Sequence, residues 1–143
     1  MRRASRKRRA RPRVIHGAGR ELFTHERCFI RQLWGLPADR TVSLARARVR
    51  PGVTTAWHAL DGTAEWYLVF SGAGRVEVGR SRPRRVGPGD LVFIPPGVRQ
   101  RIANIGRTDL VFHCLCLPAF TPACYHDSER PRPRSARSAK GVP

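Results

Sequence analysis

"TTAWHALDGTAEWYLVFSGAG", residues 54–74, places one histidine and one glutamate, His58 and Glu65, in an apolar, aromatic-rich run. The turn-forming "DGT" at 61–63 splits it into two segments of period two, which predicts two strands broken by a turn. Side chains alternate along a strand, so Thr54, Ala56, His58 and Leu60 share one face of the first segment. Glu65, Tyr67, Val69 and Ser71 share one face of the second, while Trp57, Trp66 and Phe70 take the opposite phase. If the first two faces point inward, an imidazole, a carboxylate and a phenol enter one cavity.

Working outward, the same punctuation recurs. Short alternating segments at 27–34, 42–50, 74–79, 90–95, 98–104 and 109–117 are separated by "SGAG", "RSRPRRVGPG", "PPG" and "IGRT". In 42–50 the small or apolar Ser43, Ala45, Ala47 and Val49 oppose Leu44, Arg46, Arg48 and Arg50, which predicts a half-buried strand. In 98–104, Arg99 and Arg101 claim the outer face, so Gln100 is expected inside with Val98 and Ile102, where its amide must find partners. Segment 109–117 is apolar on both faces, and parity leaves open whether His113 or the Cys114/Cys116 pair faces the cavity. No segment carries helical periodicity. The expected architecture is all-β, a closed barrel or a double-sheet jelly roll.

Composition sets the boundaries. A chain of 143 residues suits one domain with a real core. Its formal charge is +18, yet residues 1–13 hold eight bases and no acid, and residues 128–143 hold five bases and one acid. The segment between keeps only +6, so the basicity belongs mainly to tails rich in Arg, Ser, Pro and Ala. The expectation is a disordered basic tail over 1–19, a barrel over 20–120 and a mostly disordered basic tail over 121–143. Nucleic acid is expected only as a non-specific, salt-sensitive partner of those tails. Cys28, Cys114, Cys116 and Cys124 lack zinc-site spacing and disulfide-scaffold density. No apolar run follows the basic N-terminus and none is long enough to span a membrane. Cytoplasmic residence is the expectation. His16, His25 and His126, near the chain ends, are expected in solvent.

Two blocks then carry a resemblance. In the first, Gly52, five residues, His58, Leu60, four residues, Glu65, six residues and Gly72 follow one another. In the second, Gly89, Pro95, Gly97, Gln100 and Asn104 fall at fixed offsets. The pattern resembles the two motifs of the cupins over roughly residues 40–117, with Leu60 and Gln100 standing where those motifs carry histidine. The resemblance implies a double-stranded β-helix, commonly a dimer. It also implies a divalent metal (zinc, iron, manganese or nickel) held here by His58, Glu65 and Gln100. Leucine cannot ligate, and a glutamine oxygen is a weaker donor than imidazole for such ions. The alternative is a hydrogen-bonded trio in which Glu65 accepts from His58 and from the Gln100 amide.

Two functions follow. One is a metal-dependent enzyme of isomerase, epimerase, lyase or oxygenase type acting on a small polar, oxygen-rich molecule. In it Glu65 is ligand or general base, His58 a ligand and Tyr67 a proton donor. The other is a metal-free or weakly metal-binding barrel that senses or carries a small ligand. A homodimer is expected to bury a Trp57/Trp66 face or strand 109–117.

Overall fold

A computed structural model of the chain describes residues 11–129, so the tail expectations for 1–10 and 130–143 lie outside the described residues. The strands are β1 (Leu22–Phe23), β2 (Phe29–Trp34), β3 (Ser43–Val49), β4 (His58–Leu60), β5 (Ala64–Ser71) and β6 (Gly74–Val78). They continue with β7 (Arg84–Val86), β8 (Leu91–Ile94), β9 (Gln100–Asn104), β10 (Leu110–Leu117) and β11 (Tyr125–Asp127). One 3-10 turn, Pro122–Cys124, precedes β11.

Two antiparallel sheets result. The larger runs β1-β2-β3-β10-β5-β8 and the smaller β11-β4-β9-β6-β7. Their inner faces meet in one core that includes Val49, Val69, Ile94 and Leu110 of the larger sheet with Val76 and Ile102 of the smaller. Val49, Ile102 and Leu110 are fully buried, each contributing about 1.5–3 kcal/mol relative to exposure. In β3, Ser43, Ala47 and Val49 are buried while Arg46 and Arg48 reach the surface to pair with Glu21, as the alternation requires.

Two motif residues are explained by backbone geometry. Gly72 adopts φ +89°, and a Cβ there would stand 2.6 Å from the Asp109 carbonyl oxygen and 2.8 Å from Leu110 Cα. Only glycine lets the β5–β6 turn approach the start of β10 so closely. Asn104, almost completely buried, donates to the carbonyls of Val49 and Thr108 at 2.8 Å each and accepts from Gly106 N–H at 2.9 Å. The amide closes the 104–109 loop onto β3, so its role is structural.

The chain departs from the sequence expectation at two edges. Residues 121–129 are ordered beyond the expected boundary at 120, because Tyr125, His126 and Asp127 pair with Leu60, Ala59 and His58. Glu129 fixes this end by accepting from Arg27 at 2.8 and 3.2 Å and from the Trp57 N–H at 3.2 Å. Strand β7 lies inside "RSRPRRVGPG", which reads as loop because its prolines and arginines mask three residues of pairing with β6.

Candidate functional site

The site spans the two sheets. His58 and Gln100 lie opposite each other on β4 and β9 of the smaller sheet. Glu65 and Tyr67 lie on β5 of the larger sheet, opposite Cys116 and Cys114 of β10. The turn at 95–97 positions β9: Gly97, at φ +76°, donates its N–H to the Leu60 carbonyl at 2.8 Å. That contact ties the start of β9 to the end of β4.

All four side chains are buried, and three of them form one chain of hydrogen bonds. The Tyr67 hydroxyl donates to Gln100 Oε1, and Gln100 Nε2 donates to Glu65 Oε2 at 2.6 Å. Both ends of the amide are therefore engaged, and the bond to Glu65 crosses between the sheets. His58 does not join. Its Nδ1–H donates to the Ala56 carbonyl at 2.9 Å, and its ring stacks on Tyr125 at 5.2 Å. In the neutral ring this leaves Nε2 as an acceptor. Of the expected trio, the bond from the Gln100 amide to Glu65 is present and the one from His58 is not; Tyr67 instead donates to the other end of the amide.

These groups line a cavity of about 160 Å³. Its walls are mainly apolar: Ile30, Leu60, Ile102, Phe112 and Phe120. Cys114 and Cys116 face it, which settles the parity of β10 and turns His113 outward. Glu26 also lines it, with Oε2 3.9 Å from His58 Nδ1. The sequence reading missed this second acid, although Glu26, Cys28, Ile30 and Gln32 all line the cavity at period two. Stepping that alternation back one position before segment 27–34 finds it.

Burial dominates the electrostatics. It pushes the Glu65 carboxyl above the usual carboxylate range, against the lowering effects of the Gln100 hydrogen bond and of His58. Burial likewise raises the Tyr67 hydroxyl and the Cys114 thiol well above their ordinary values. The Cys28 and Cys116 thiols are pushed up to about 12, again chiefly by burial. Such thiols stay protonated near neutrality and are poor ligands and nucleophiles. Of the outlying histidines, His126 bonds Asp61 with 43 % of its side chain exposed, and His25 lies edge-on to Tyr125.

The donor set does not fit a divalent metal. Leu60 presents hydrocarbon at one motif position, and the Gln100 oxygen accepts from Tyr67. Among the described residues no three His, Cys, Asp or Glu side chains converge as a metal shell would need.

The architecture is a double-stranded β-helix. It is similar to an uncharacterized conserved protein with a double-stranded β-helix domain from Klebsiella pneumoniae (TM-score 0.64, 17 % identity, 75 % of this chain and 89 % of that one). It is also similar to a predicted oxalate decarboxylase from Thermotoga maritima (TM-score 0.62, 22 % identity, 71 % and 92 %). Oxalate decarboxylase from Bacillus subtilis matches as well (TM-score 0.66, 22 % identity, 76 % of this chain but 30 % of that one). At these identities the likeness concerns the fold. In sequence, an uncharacterized protein of Methanocaldococcus jannaschii is 32 % identical over 87 residues, 61 % of this chain and 66 % of that protein, so the match spans just under two thirds of the relative. The profile of the cupin domain family matches residues 45–117, and the chain belongs to that family.

Proposed function

We propose that this cupin is a small-molecule-binding barrel whose pocket operates without a bound metal. One observation carries the reading: the Gln100 amide is closed between the Tyr67 hydroxyl and the Glu65 carboxylate. The residue at a ligand position thus serves as a hydrogen-bonded strut between the sheets. Metal analysis of protein purified without added metal, with thermal-shift titration of zinc, iron, manganese and nickel, tests it. The expected result is no stoichiometric metal and no stabilisation. Retention of a stoichiometric divalent ion would overturn it.

A second reading, the metal-dependent isomerase, epimerase, lyase or oxygenase, is supported by His58 and Glu65 lining one cavity. It requires Gln100 to release Tyr67, freeing the amide oxygen for a metal and the hydroxyl for proton donation. Leu60→His combined with Gln100→His separates the two readings. It should create metal affinity absent from the parent chain, by placing imidazole at both positions.

The partners we propose are a small-molecule ligand and a second copy of the chain. Contacts with nucleic acid are proposed as non-specific and confined to the basic tails. No helix among the described residues is long and apolar enough to cross a membrane. The four unpaired thiols suit a reducing compartment, and we place the protein in the cytoplasm.

A further inference from the structure

We propose that the pocket selects a compact organic cation, an ammonium group on an apolar body of about benzene size, and discriminates against carboxylates and phosphates. The proposal rests on the small-molecule reading above and names the ligand class that the same cavity would take.

The first support is charge. In a chain of formal net charge +18, the cavity wall holds two acids, Glu26 and Glu65, and no lysine or arginine. An anion entering would lose its water and meet two acid side chains, with no lysine or arginine to pair with it.

The second support is the hydrogen-bond inventory of the wall. Its phenol and imidazole N–H are engaged, and each amide already gives one of its two N–H groups. Tyr67 and Gln100 donate along their chain, Gln32 Nε2 donates to the Leu36 carbonyl at 2.9 Å, and His58 Nδ1–H donates to Ala56. Thr55 and Ser43 accept from the backbone N–H groups of Ile102 and Phe120, so the donors that remain are neutral: small hydroxyls, thiols and the second N–H of each amide. The acceptors, by contrast, are open. His58 Nε2 has no protein partner among the described residues. The Glu26 carboxylate accepts only a long contact from the Cys28 thiol at 4.0 Å, and His58 Nδ1 lies 3.9 Å away, beyond hydrogen-bond reach. What this wall lacks is a donor carrying positive charge.

The third support is size and surface. A cavity of about 160 Å³ is close to the roughly 150 Å³ apolar cavity that accommodates one benzene in another protein. The apolar majority of the wall would cover the body of such a ligand. Its ammonium would meet the Glu26 carboxylate and His58 Nε2. A buried ammonium needs such a paired, hydrogen-bonded setting.

The test compares three ligands that share one ring: benzylamine, benzyl alcohol and benzoate. Each is titrated into the full chain by calorimetry at fixed ionic strength near neutral pH, where an alkylammonium stays charged. Benzylamine should bind about tenfold more tightly than benzyl alcohol, the scale of one charge-assisted contact, and benzoate should not bind. Glu26→Gln should reduce the amine preference, read as the ratio of the two affinities within the variant, to about threefold or less. Benzoate binding as tightly as benzylamine, or equal binding of all three, would overturn the charge selection while leaving the pocket reading intact. Failure of all three to bind would remove the pocket reading and this proposal together. The three-ligand ranking on the unaltered chain decides the matter even if Glu26→Gln proves unstable.

Discussion

The two sheets share one interior but present opposite exteriors. Across the larger sheet, an apolar row runs Trp34, Leu44, Leu115, Trp66 and Phe93 through four successive strand pairings. Beside it Leu68 pairs with Leu91, and Phe70 is 68 % exposed. Across the smaller sheet, Arg75 stands opposite Arg85, and the guanidinium groups of Arg99 and Arg101 lie 4.3 and 4.5 Å from the centre of the Trp57 ring. Alternation demands an apolar inner half from both sheets, so only the outer half reveals what each sheet meets. The arginine-covered face is built for water. The other is a contiguous apolar patch of the kind that marks an interaction surface. Trp57 and Trp66 therefore do not form the single face expected from their shared phase, because they belong to opposite exteriors and Trp57 is already covered by arginines.

The largest effect should come from placing charge on the apolar exterior. We expect a homodimer across the patch around Leu68 and Trp66, and Leu68→Glu should disrupt it. An unpaired charge buried at an interface costs about 3–5 kcal/mol, a loss of at least a hundredfold in dimer affinity. Analytical ultracentrifugation at tens of micromolar should show a dimer for the parent chain and a monomer for the variant. A monomeric parent would break the comparison, since the patch would then lack its expected cover.

Next in size is the interior link between the sheets. Gln100→Leu removes the acceptor for Tyr67 and the donor for Glu65 at once, leaving two buried polar groups unpaired. A loss of about 2–4 kcal/mol is expected, read as a lower denaturant midpoint with an unchanged slope. A change below about 0.5 kcal/mol, the range of ordinary surface substitutions, would mean that the amide is not the strut proposed here.

The pH dependence is smaller but has a definite sign. Burial raises the folded-state pKa of Glu65 above its ordinary value. Between the unfolded and folded pKa values the native state binds more protons than the unfolded one, so stability falls as pH rises through that window. The contribution is complete below the unfolded value of 4.5 and is lost once pH passes the folded value. Glu65→Gln should remove this part of the slope while keeping the acceptor for Gln100 Nε2. Denaturation curves at acidic and mildly alkaline pH would show it, and an unaltered slope in the variant would rule Glu65 out as its source.

Much of the interior was legible because strand parity is strict. A single inward assumption placed His58, Leu60, Glu65, Tyr67 and Gln100 together, and all five are buried. What was not legible depended on pairing across the chain. Tyr125 stacks on His58 only because three residues of a segment expected as tail add a strand beside β4. Glu26 precedes a residue with φ +69°, Arg27, whose side chain is held by the Thr54 carbonyl and Glu129. The left-handed turn at Arg27 leaves no mark in the hydrophobic pattern, although the alternation of the cavity-lining residues carries through it to Glu26. The separation of Trp57 from Trp66 is topological, since parity assigns a face within a strand but never a sheet. The metal expectation follows motif positions; the bond from Gln100 to Glu65 is the alternative that the sequence also offers, whereas the bond from Tyr67 to Gln100 depends on β5 and β9 facing each other.

The smallest effect belongs to the cationic exterior. Arg75 and Arg85 are exposed and directly opposite on neighbouring antiparallel strands, an arrangement that sets like charges against each other. Arg85→Glu replaces that repulsion by attraction without touching the core. It should stabilise the fold by about 0.2–1 kcal/mol, and the gain should shrink as salt screens an exposed pair. Urea denaturation at low and high ionic strength would measure both parts. Because this face is expected in water, the substitution should leave the dimer intact, in contrast to Leu68→Glu on the other sheet. If Arg85→Glu dissociated the dimer instead, the smaller sheet would be part of the interface and the assignment of the two exteriors would have to be reversed.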